Sequence, residues 1–354
     1  ADTDFDFDKE GIKMFVDGDW LKAEGTTLGA DNGLGVAAIM AVLSSKEITH
    51  PEIEALFTID EETGMTGAMG LEGGVLKGEI LLNLDTEEDD EIGIGCAGGV
   101  DVTATKNYKE ENTPENTIAF SITVKGLNGG HSGMDIIKGL GNANKIMNRI
   151  LYDGFEKYDT GWYNPDELLI QEVESPKVIM ELGVQESFIK AIYAAHNGVY
   201  RMSPDVVGLV ETSNNIARII VKDGGIKVGC LTRSSSETNK WDLANSLRSC
   251  FELAGLDVDF SGEYPGWLPN LNSEILVVLE GLYKELFNEN PNVAACHAGL
   301  ECGILGQNYP EMDMISFGPN IRGAHSPDER AQISSTQKFW KLLLEVLKNI
   351  PKKA

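Results

Sequence analysis

Leu56-Phe57-Thr58-Ile59-Asp60-Glu61-Glu62-Thr63-Gly64-Met65-Thr66-Gly67 is an apolar run that ends in three consecutive carboxylates and a glycine. Alternating and β-branched residues from Ile53 to Ile59 predict a buried strand. Ligands of open α/β sheets collect just beyond the carboxyl ends of the strands. We therefore predict a functional pair at Glu61 and Glu62, in which one carboxylate binds a metal ion and its neighbour carries a proton. The alternative is an acidic turn that only solvates the end of a strand.

The charge balance excludes some classes of partner. The chain has 354 residues, 42% of them hydrophobic, with 29 Lys and Arg against 56 Asp and Glu, for a formal net charge of -27. A surface this acidic repels nucleic acids and anionic membranes. We predict neither as a partner, whereas divalent cations suit such a charge.

Cysteine usage and the absence of apolar spans bear on location. The 5 cysteines form no CxxC pair, which argues against a disulfide framework and against a thiolate zinc site. The sequence contains no apolar run of about 18 residues and no signal-peptide pattern at its start. These features favour a cytoplasmic protein.

Strand and helix patterns alternate in the first part of the chain. Asn32 to Ser45 predicts a buried helix, and Ile80 to Leu84 predicts a strand that ends at Asp85. Together with the strand before Glu61, this rhythm indicates an α/β fold with a mainly parallel sheet. The polar stretch from Asn107 to Asn116 then interrupts the pattern.

The middle of the chain has a different pattern, and the first pattern returns near the end. The elements predicted there are strands at Thr117 to Val124, Val206 to Thr212, Ala217 to Val221, Lys227 to Thr232 and Met312 to Phe317, and helices at Gly139 to Tyr152, Lys240 to Ala254, Ser273 to Asn288 and Ser334 to Asn349. We predict a discontinuous catalytic domain of residues 1–107 and 289–354. An α+β lid and dimerisation domain, residues 108–288, is inserted into it.

The segment Gly93-Ile94-Gly95-Cys96-Ala97-Gly98 matches the glycine spacing of a dinucleotide-binding turn. That turn must lead into a helix whose N-terminus faces the pyrophosphate. Val100 to Thr105 instead predicts a strand, so nucleotide binding is not expected.

Four potential metal ligands follow predicted strands or precede a predicted helix at one edge of the sheet: Asp31, Glu62, Asp85 and His325. Each has an ordinary alternative, since Asp31 could cap a helix, Asp85 could lie in a turn, and a single loop histidine is often a surface residue. Carboxylate and imidazole ligands without thiolate suit a hydrolytic zinc, cobalt or manganese centre.

At the level of whole motifs, the sequence resembles the bacterial aminoacyl-histidine dipeptidases, also called Xaa-His dipeptidases or peptidase D. These belong to the superfamily of co-catalytic zinc aminoacylases, carboxypeptidases and dipeptidases. The similar segments are GTTLGADNG (25–33), TIDEETGMTGA (58–68), NLDTEED (83–89), GCAGG (95–99), GGHSGMDI (129–136), GLGNANK (139–145), YPGW (264–267), HAGLECG (297–303), YPEMDMISFGP (309–319) and HSPDER (325–330).

The resemblance implies a zinc-peptidase domain with two divalent metal ions, zinc first and cobalt or manganese as alternatives. Asp31 would bridge the two ions, Glu62 and His325 would complete one site, and Asp85 would serve the other. Glu61 would be the general base. The resemblance also implies a cis peptide bond between Asp31 and Asn32.

Further roles concern the substrate. The resemblance implies that His131 polarises the scissile carbonyl or holds the oxygen of the tetrahedral intermediate. It also implies that Gly299 and Glu301 line the substrate pocket. We interpret Arg233 as a clamp for the substrate carboxylate, because guanidinium groups bind carboxylates through two parallel hydrogen bonds. The alternative is a surface arginine at the end of a strand.

The sequence departs from the family in two places. Family members have a His-x-Asp segment before the region that resembles Asp2 to Gly33, and its histidine is a ligand of the second metal site. They also have a further lid segment where Asp159 runs directly into Thr160 here. We expect a shortened or joined sequence in which the site of Asp31, Glu62 and His325 is complete and the site of Asp85 lacks its histidine.

The expected function is hydrolysis of Xaa-His dipeptides such as carnosine by a metallopeptidase that acts as a homodimer. A related metallo-deacylase or carboxypeptidase is an alternative, because the metal ligands do not set side-chain specificity. A second alternative is a catalytically impaired fragment that binds metal or a partner chain.

Overall fold

The computed structural model describes residues 5–153 and 168–351. Two compact units make up the chain. The first consists of Ala1–Gly95, Trp267–Ala295 and Glu301–Ala354, and the second of Cys96–Gly266 and Cys296–Leu300. The predicted junction at Asp159 and Thr160 lies outside the described residues.

The first segment of the first unit contains a hairpin, a long helix, two short helical turns and two sheet strands. They are β1 (Met14–Asp17), β2 (Trp20–Ala23), α1 (Ala30–Ser44), α2 (Glu61–Gly64), α3 (Thr66–Met69), β3 (Ile80–Asn83) and β4 (Glu91–Cys96).

The second unit is built on an antiparallel sheet in the order β10-β11-β12-β5-β13. Its elements are β5 (Gly98–Asn107), β6 (Glu110–Asn112), β7 (Ala119–Val124), a 3-10 turn (Ile136–Lys138), α4 (Ala143–Asp153), β8 (Leu168–Val173), β9 (Val178–Met180), α5 (Leu182–Ala194), β10 (Gly198–Met202), β11 (Val210–Lys222), β12 (Gly225–Ser234), α6 (Glu237–Leu253) and β13 (Asp257–Tyr264). Its core joins apolar side chains of the sheet to those of α5 and α6, including Val102, Ile192, Val228 and Leu247.

The last segment returns to the first unit. Its elements are α7 (Glu274–Phe287), β14 (Asn292–Cys296), α8 (Glu301–Asn308), β15 (Asp313–Ser316), β16 (Ile321–Arg322), β17 (Arg330–Gln332) and α9 (Ile333–Lys348). The central sheet has the order β14-β4-β15-β3, and it is mixed, because β15 runs parallel to β3 and antiparallel to β4. A smaller sheet has the order β1-β2-β17-β16.

The core of the first unit joins distant parts of the chain. Val42 of α1, Ile94 of β4, Leu279 of α7 and Val346 of α9 belong to one cluster of buried side chains. Burial of such side chains removes apolar surface from water, which is the main favourable contribution to folding. The central sheet and three long helices are thereby held together, and the turns at the sheet edge carry the candidate site.

The predicted strand from Ile53 to Ile59 is wrong, because these residues form no strand in the structure. Ile53 and Leu56 line an apolar cavity of about 430 Å³ beside Ile80. The backbone N–H groups of Lys77 and Gly78, just before β3, donate to the Glu54 carboxylate, both at 2.7 Å. The Glu54 side chain therefore takes the hydrogen bonds of the backbone N–H groups beside residues 53–59. The alternating apolar side chains of this segment pack against their neighbours, but its backbone does not pair as a strand.

The boundaries of the compact units differ from the predicted domain boundaries, which lie between residues 107 and 108 and between residues 288 and 289. Strand β5 lies in the second unit because it pairs along its whole length with β12, from Gly98 opposite Ser234 to Asn107 opposite Gly225. Helix α7 lies in the first unit because Ile275 and Leu279 are buried in that unit's core. The boundaries of the units are thus near Gly95 and Gly266.

Other predicted elements agree with the structure more closely. The predicted helices at residues 32–45, 139–152, 240–254, 273–288 and 334–349 correspond to α1, α4, α6, α7 and α9. Two predicted strands, Val206 to Thr212 and Ala217 to Val221, instead fall on the single strand β11, in which Ser213 and Asn214 continue the pairing with β12. Residues 206–209 of the first prediction lie before β11 and form no strand. Residues 98–107 form β5, so the glycine motif leads into a strand as predicted.

None of the helices in the described part of the chain is both long and apolar enough to cross a bilayer.

Candidate metal centre and active site

Asp31 stands at an irregular entrance to α1. Gly29 has a left-handed backbone, and Asp31 and Asn32 have non-helical angles within the helix. The peptide bond between Asp31 and Asn32 is cis, as predicted. Asn32 Oδ1 accepts the N–H of Gly35 at 2.9 Å, so the regular helix begins behind Asp31. The carboxylate of Asp31, with 12% of its side chain exposed, is therefore free to point out of the helix.

Glu61 and Glu62 form the first turn of α2. Asp60, with a left-handed backbone, precedes the turn, and its carboxylate accepts the hydroxyls of Thr63 and Thr66, the latter at 2.7 Å. Gly67 allows the chain to fold back, because a Cβ there would lie 2.6 Å from the backbone nitrogen of Ile59. The sequence TIDEETGMTG thus makes a tight turn that presents the two glutamates side by side.

His325 lies in the loop between β16 and β17, with a backbone φ of 60°. Its Nε2 is 3.0 Å from Asp31 Oδ2 and 2.8 Å from Glu62 Oε2. Burial disfavours the charged imidazole, but the hydrogen bond to Asp31 and the charge of Glu62 outweigh it, so the pKa of His325 is raised. The imidazole thus lies at the point where the two carboxylates converge.

These three side chains form a site that fits a divalent cation. One ligand atom from each of Asp31, Glu62 and His325 lies within 4.8 Å of the others, the only such group of three among the described residues. Two carboxylate oxygens and an imidazole nitrogen are a donor set typical of zinc in hydrolytic centres. The structure thus brings together three of the four predicted ligands.

Glu61, Asp85 and Glu301 extend the same acidic region. Burial, followed by the charges of Glu62, Glu301 and Asp31, raises the pKa of Glu61 to about 7. Burial, followed by the charges of Asp31 and Glu61, raises the pKa of Asp85 to about 8. A carboxylate whose pKa lies near neutral pH can both accept and release a proton, which suits a general base.

His131 belongs to the second unit, in the turn before the 3-10 helix. Its Nδ1 accepts the backbone N–H groups of Gly133 at 3.2 Å and Met134 at 3.0 Å. A ring nitrogen that accepts two hydrogen bonds carries no proton, so the neutral ring has its proton on Nε2. Burial, and then the charge of Arg233, lower the pKa of His131 and favour this neutral form. The side chain is thus set up as a hydrogen-bond donor through Nε2.

Arg233, on β12, is a buried arginine, so the alternative of a surface arginine at a strand end is wrong. Its Nη1 donates to the Tyr264 hydroxyl at 2.6 Å, while its Nε is buried without a hydrogen-bond partner. Lys240, itself fully buried, donates to the Tyr264 carbonyl at 2.8 Å and so holds this tyrosine in place. A buried guanidinium with an unused donor is suited to bind an anion.

The HAGLECG segment contributes to both units. His297 is buried, its Nε2 lies 2.7 Å from Ser213 Oγ, and burial followed by the charge of Arg233 lowers its pKa to about 4. Gly299 lies in the second unit in a segment without regular structure, and Glu301 begins α8 in the first unit. His297 is therefore a neutral side chain that packs within the second unit.

Comparison with known proteins decides the family. The model of "Peptidase family M20/M25/M40" matches residues 6–349. The chain belongs to this family. It is also 39% identical over 400 aligned positions to a "Cytosol non-specific dipeptidase" of Escherichia coli K12, a match that covers 99% of the chain and 82% of the relative. The alignment is longer than the chain, so the relative has internal residues without a counterpart here.

Solved structures support the M20 assignment. The crystal structure of an aminoacylhistidine dipeptidase from Vibrio alginolyticus is 40% identical and has a TM-score of 0.92, covering 100% of this chain and 82% of that one. An aminopeptidase of Bacillus cereus, 17% identical with a TM-score of 0.64 over 97% of this chain and 77% of that one, shows the fold alone. The M20 fold, a catalytic domain with a lid, is therefore that of this protein. Membership of the family also implies the use of divalent metal ions.

Glu329 is a residue of the candidate site that the sequence analysis did not reveal. It is 2% exposed, and its carboxylate accepts the backbone N–H groups of Gly29 at 2.7 Å, Ala30 at 2.8 Å and Asp31 at 3.0 Å, together with the Thr27 hydroxyl. Burial opposes ionisation, but the hydrogen bonds outweigh it and lower the pKa of Glu329. The residue ties the loop of His325 to the turn of Asp31. Its place in HSPDER, four residues after the predicted ligand His325, was the available signal.

We expect Glu329→Gln to loosen the Asp31 turn, because an amide group would place a donor against backbone donors. The free energy of unfolding should fall by about 1–3 kcal/mol, the cost of leaving buried polar groups unpaired. Zinc affinity should fall by about tenfold or more, as for other partners that orient metal ligands. Denaturant titration and competition with a chelator measure the two effects. Asp328→Asn, which removes a charge from the exposed neighbour, is the control, and equal zinc affinities in both variants would contradict this role.

The raised pKa values of Glu61 and Asp85 predict a pH dependence for the metal-free protein. Unfolded carboxyls titrate at about pH 4, so the folded chain binds more protons than the unfolded chain between that pH and about 8. Stability therefore falls as pH rises through this window, and zinc should restore it at the upper end. Thermal unfolding of the wild type and of Asp85→Asn measures the difference. An identical pH slope in both proteins would contradict it.

Proposed function

We propose that this M20 protein is a metal-dependent dipeptidase that cleaves Xaa-His dipeptides such as β-alanyl-histidine. The observation that carries the proposal is the convergence of Asp31, Glu62 and His325 beside Glu61, whose pKa is raised to about 7. The names of the relatives in Escherichia coli and Vibrio alginolyticus, both dipeptidases, support the same reaction.

The proposed centre takes two divalent ions, with zinc preferred and cobalt or manganese as alternatives. Asp31, Glu62 and His325 would hold the first ion, and Asp31 and Asp85 would contribute to the second. When bound, such ions polarise the peptide carbonyl and lower the pKa of water. The fit of the donor set to the first site supports this assignment.

Glu61 is the proposed general base. Its carboxylate accepts a proton from the attacking water and later delivers it to the nitrogen of the departing amine, as the bond from carbonyl carbon to nitrogen breaks. Mutual repulsion with Glu62 and Asp31 and burial keep the affinity of Glu61 for a proton high enough for both steps. Glu62 differs in role because it contacts His325 directly.

Two further side chains, His131 and Arg233, are proposed to bind the substrate. His131 would donate its Nε2 proton to the oxygen of the scissile carbonyl, where negative charge develops. Arg233, with an unused buried donor, would bind the C-terminal carboxylate of the dipeptide. Gly299 and Glu301 are proposed to line the pocket.

The breadth of substrate specificity distinguishes a general dipeptidase from one restricted to Xaa-His peptides. The Escherichia coli relative is described as non-specific and the Vibrio relative as an aminoacylhistidine dipeptidase. A carboxylate clamp at Arg233 would require a free C-terminus but would accept many side chains. We therefore propose that Xaa-His peptides are substrates within a wider set of dipeptides. A homodimer in the cytoplasm is part of the proposal, and light scattering on the purified protein tests the dimer.

The function is tested with three substrates at equal concentration: β-alanyl-histidine, glycyl-leucine and N-acetyl-histidine. We expect zinc-dependent hydrolysis of both dipeptides and little of the acetylated amino acid. Faster cleavage of N-acetyl-histidine would support the deacylase alternative. Zinc binding without hydrolysis of any substrate would contradict the proposed activity.

The proposed division of roles, with Glu61 as the base and Glu62 as a metal ligand, is tested by two variants that remove one charge each. Glu61→Gln should keep its zinc affinity and lose at least about 100-fold in kcat, because it removes the proton carrier. Glu62→Gln should weaken zinc binding, because it removes a ligand. Chelator competition and steady-state kinetics measure both effects, and equal loss of zinc in the two variants would sink the assignment.

A further inference from the structure

Glu301, the first residue of α8, has one carboxylate oxygen in use and one without a partner. Its Oε2 accepts the Thr58 hydroxyl at 2.7 Å. Its Oε1 is buried and has no hydrogen-bond partner, and the residue as a whole is 9% exposed. A buried acceptor left without a donor costs free energy, so native proteins rarely keep one without a reason.

The surroundings of Glu301 are acidic and favour a cation as its partner. Its charge contributes to the raised pKa values of both Glu61 and Asp85, which places it in the same region as the proposed base. A further carboxylate among such neighbours raises the cost of negative charge there unless a positive group binds. A cation that brings its own hydrogen-bond donors would therefore satisfy Oε1.

An organic ammonium group fits this position better than a metal ion. Among the described residues, Glu301 belongs to no group of three side chains whose ligand atoms lie close enough to share a metal. Glu301 Oε2 already accepts the Thr58 hydroxyl, so only Oε1 is left for a partner. A single oxygen suits an N–H donor. The α-amino group of a peptide has a pKa of about 8 and is protonated at neutral pH.

We propose that Glu301 Oε1 binds the protonated amino group at the N-terminal end of the substrate and thereby selects free dipeptides over N-acylated compounds. The proposal rests on the proposed dipeptidase function and deepens it. Glu301 contacts a part of the substrate that does not react, so it acts on specificity, whereas Glu61 moves the proton.

The chemical consequence is that the site discriminates against a substrate that leaves the Glu301 carboxylate unpaired. A free dipeptide supplies a charge-assisted N–H to Oε1, and such hydrogen bonds are about twice as strong as neutral ones. An acylated substrate brings a neutral amide and leaves the buried carboxylate without its cation. Sites built to hydrogen-bond one substrate group reject analogues that lack it far better than apolar pockets reject a size change.

The test compares two ligands that differ only at this amine, β-alanyl-histidine and N-acetyl-β-alanyl-histidine. Calorimetry on zinc-loaded Glu61→Gln protein gives both dissociation constants with slow turnover. The measurement is repeated after adding Glu301→Gln, Glu301→Asp or the control Glu311→Gln, which removes a charge from an exposed residue beyond α8. Steady-state kinetics of the single variants give KM and kcat separately.

We expect Glu301→Gln to weaken binding of the free dipeptide by about tenfold or more and to leave the acetylated ligand nearly unchanged. The change should appear in KM more than in kcat. Glu301→Asp, which keeps the charge on a shorter side chain, should give an intermediate loss, and Glu311→Gln none. Equal weakening of both ligands, or unchanged preference in both Glu301 variants, would overturn the proposal.

The proposed function can fail separately. In one outcome, the protein prefers the free dipeptide, this preference depends on Glu301, and the wild-type protein hydrolyses no dipeptide. That outcome would support the amine site and refute the dipeptidase function. Hydrolysis of dipeptides with no dependence of selectivity on Glu301 would refute the amine site alone.

Discussion

Electrostatic repulsion among carboxylates at the edge of the first unit is the constraint on which the candidate site depends. Burial and the neighbouring negative charges hold the pKa values of Glu61 and Asp85 several units above those of exposed acids. A folded protein tolerates such crowding only when cations or protons offset it. Metal binding, the proposed proton transfer by Glu61 and the proposed recognition of an ammonium group by Glu301 would each use this one property.

Rigid local geometry makes the crowding possible. The turn of Asp31 is held by the Glu329 carboxylate, which accepts three consecutive backbone N–H groups. The turn of Glu62 is held by Asp60, which accepts two threonine hydroxyls. In both turns, a neighbouring acid holds the backbone that carries the proposed ligand. The positions of Asp31 and Glu62 therefore do not depend on a metal ion alone. The site is thus partly preorganised, which reduces the reorganisation needed on binding.

Several features were predictable from sequence because local chemistry determines them. The helices follow from apolar periodicity. The cluster of Asp31, Glu62 and His325 follows from motifs at element ends. The predicted strand at Ile53 to Ile59 does not form. Strand pairing depends on a partner strand, which the alternation of apolar residues does not reveal. Glu329 was missed because its role is visible only when residues 300 positions apart meet. The orphaned oxygen of Glu301 likewise depends on tertiary burial.

The interleaved order of the two units has a consequence for synthesis on the ribosome. The sheet of the second unit draws its strands from residues 98 to 264, so its long-range pairings can form while the rest of the chain is still being made. The core of the first unit joins Val42 to Val346, which lie far apart in the sequence. The segment that contains Val42 and the acidic turn of Glu61 therefore has no such packing partner until the segment of Val346 has been made. Negative charge on the earlier segment opposes its self-association in the meantime.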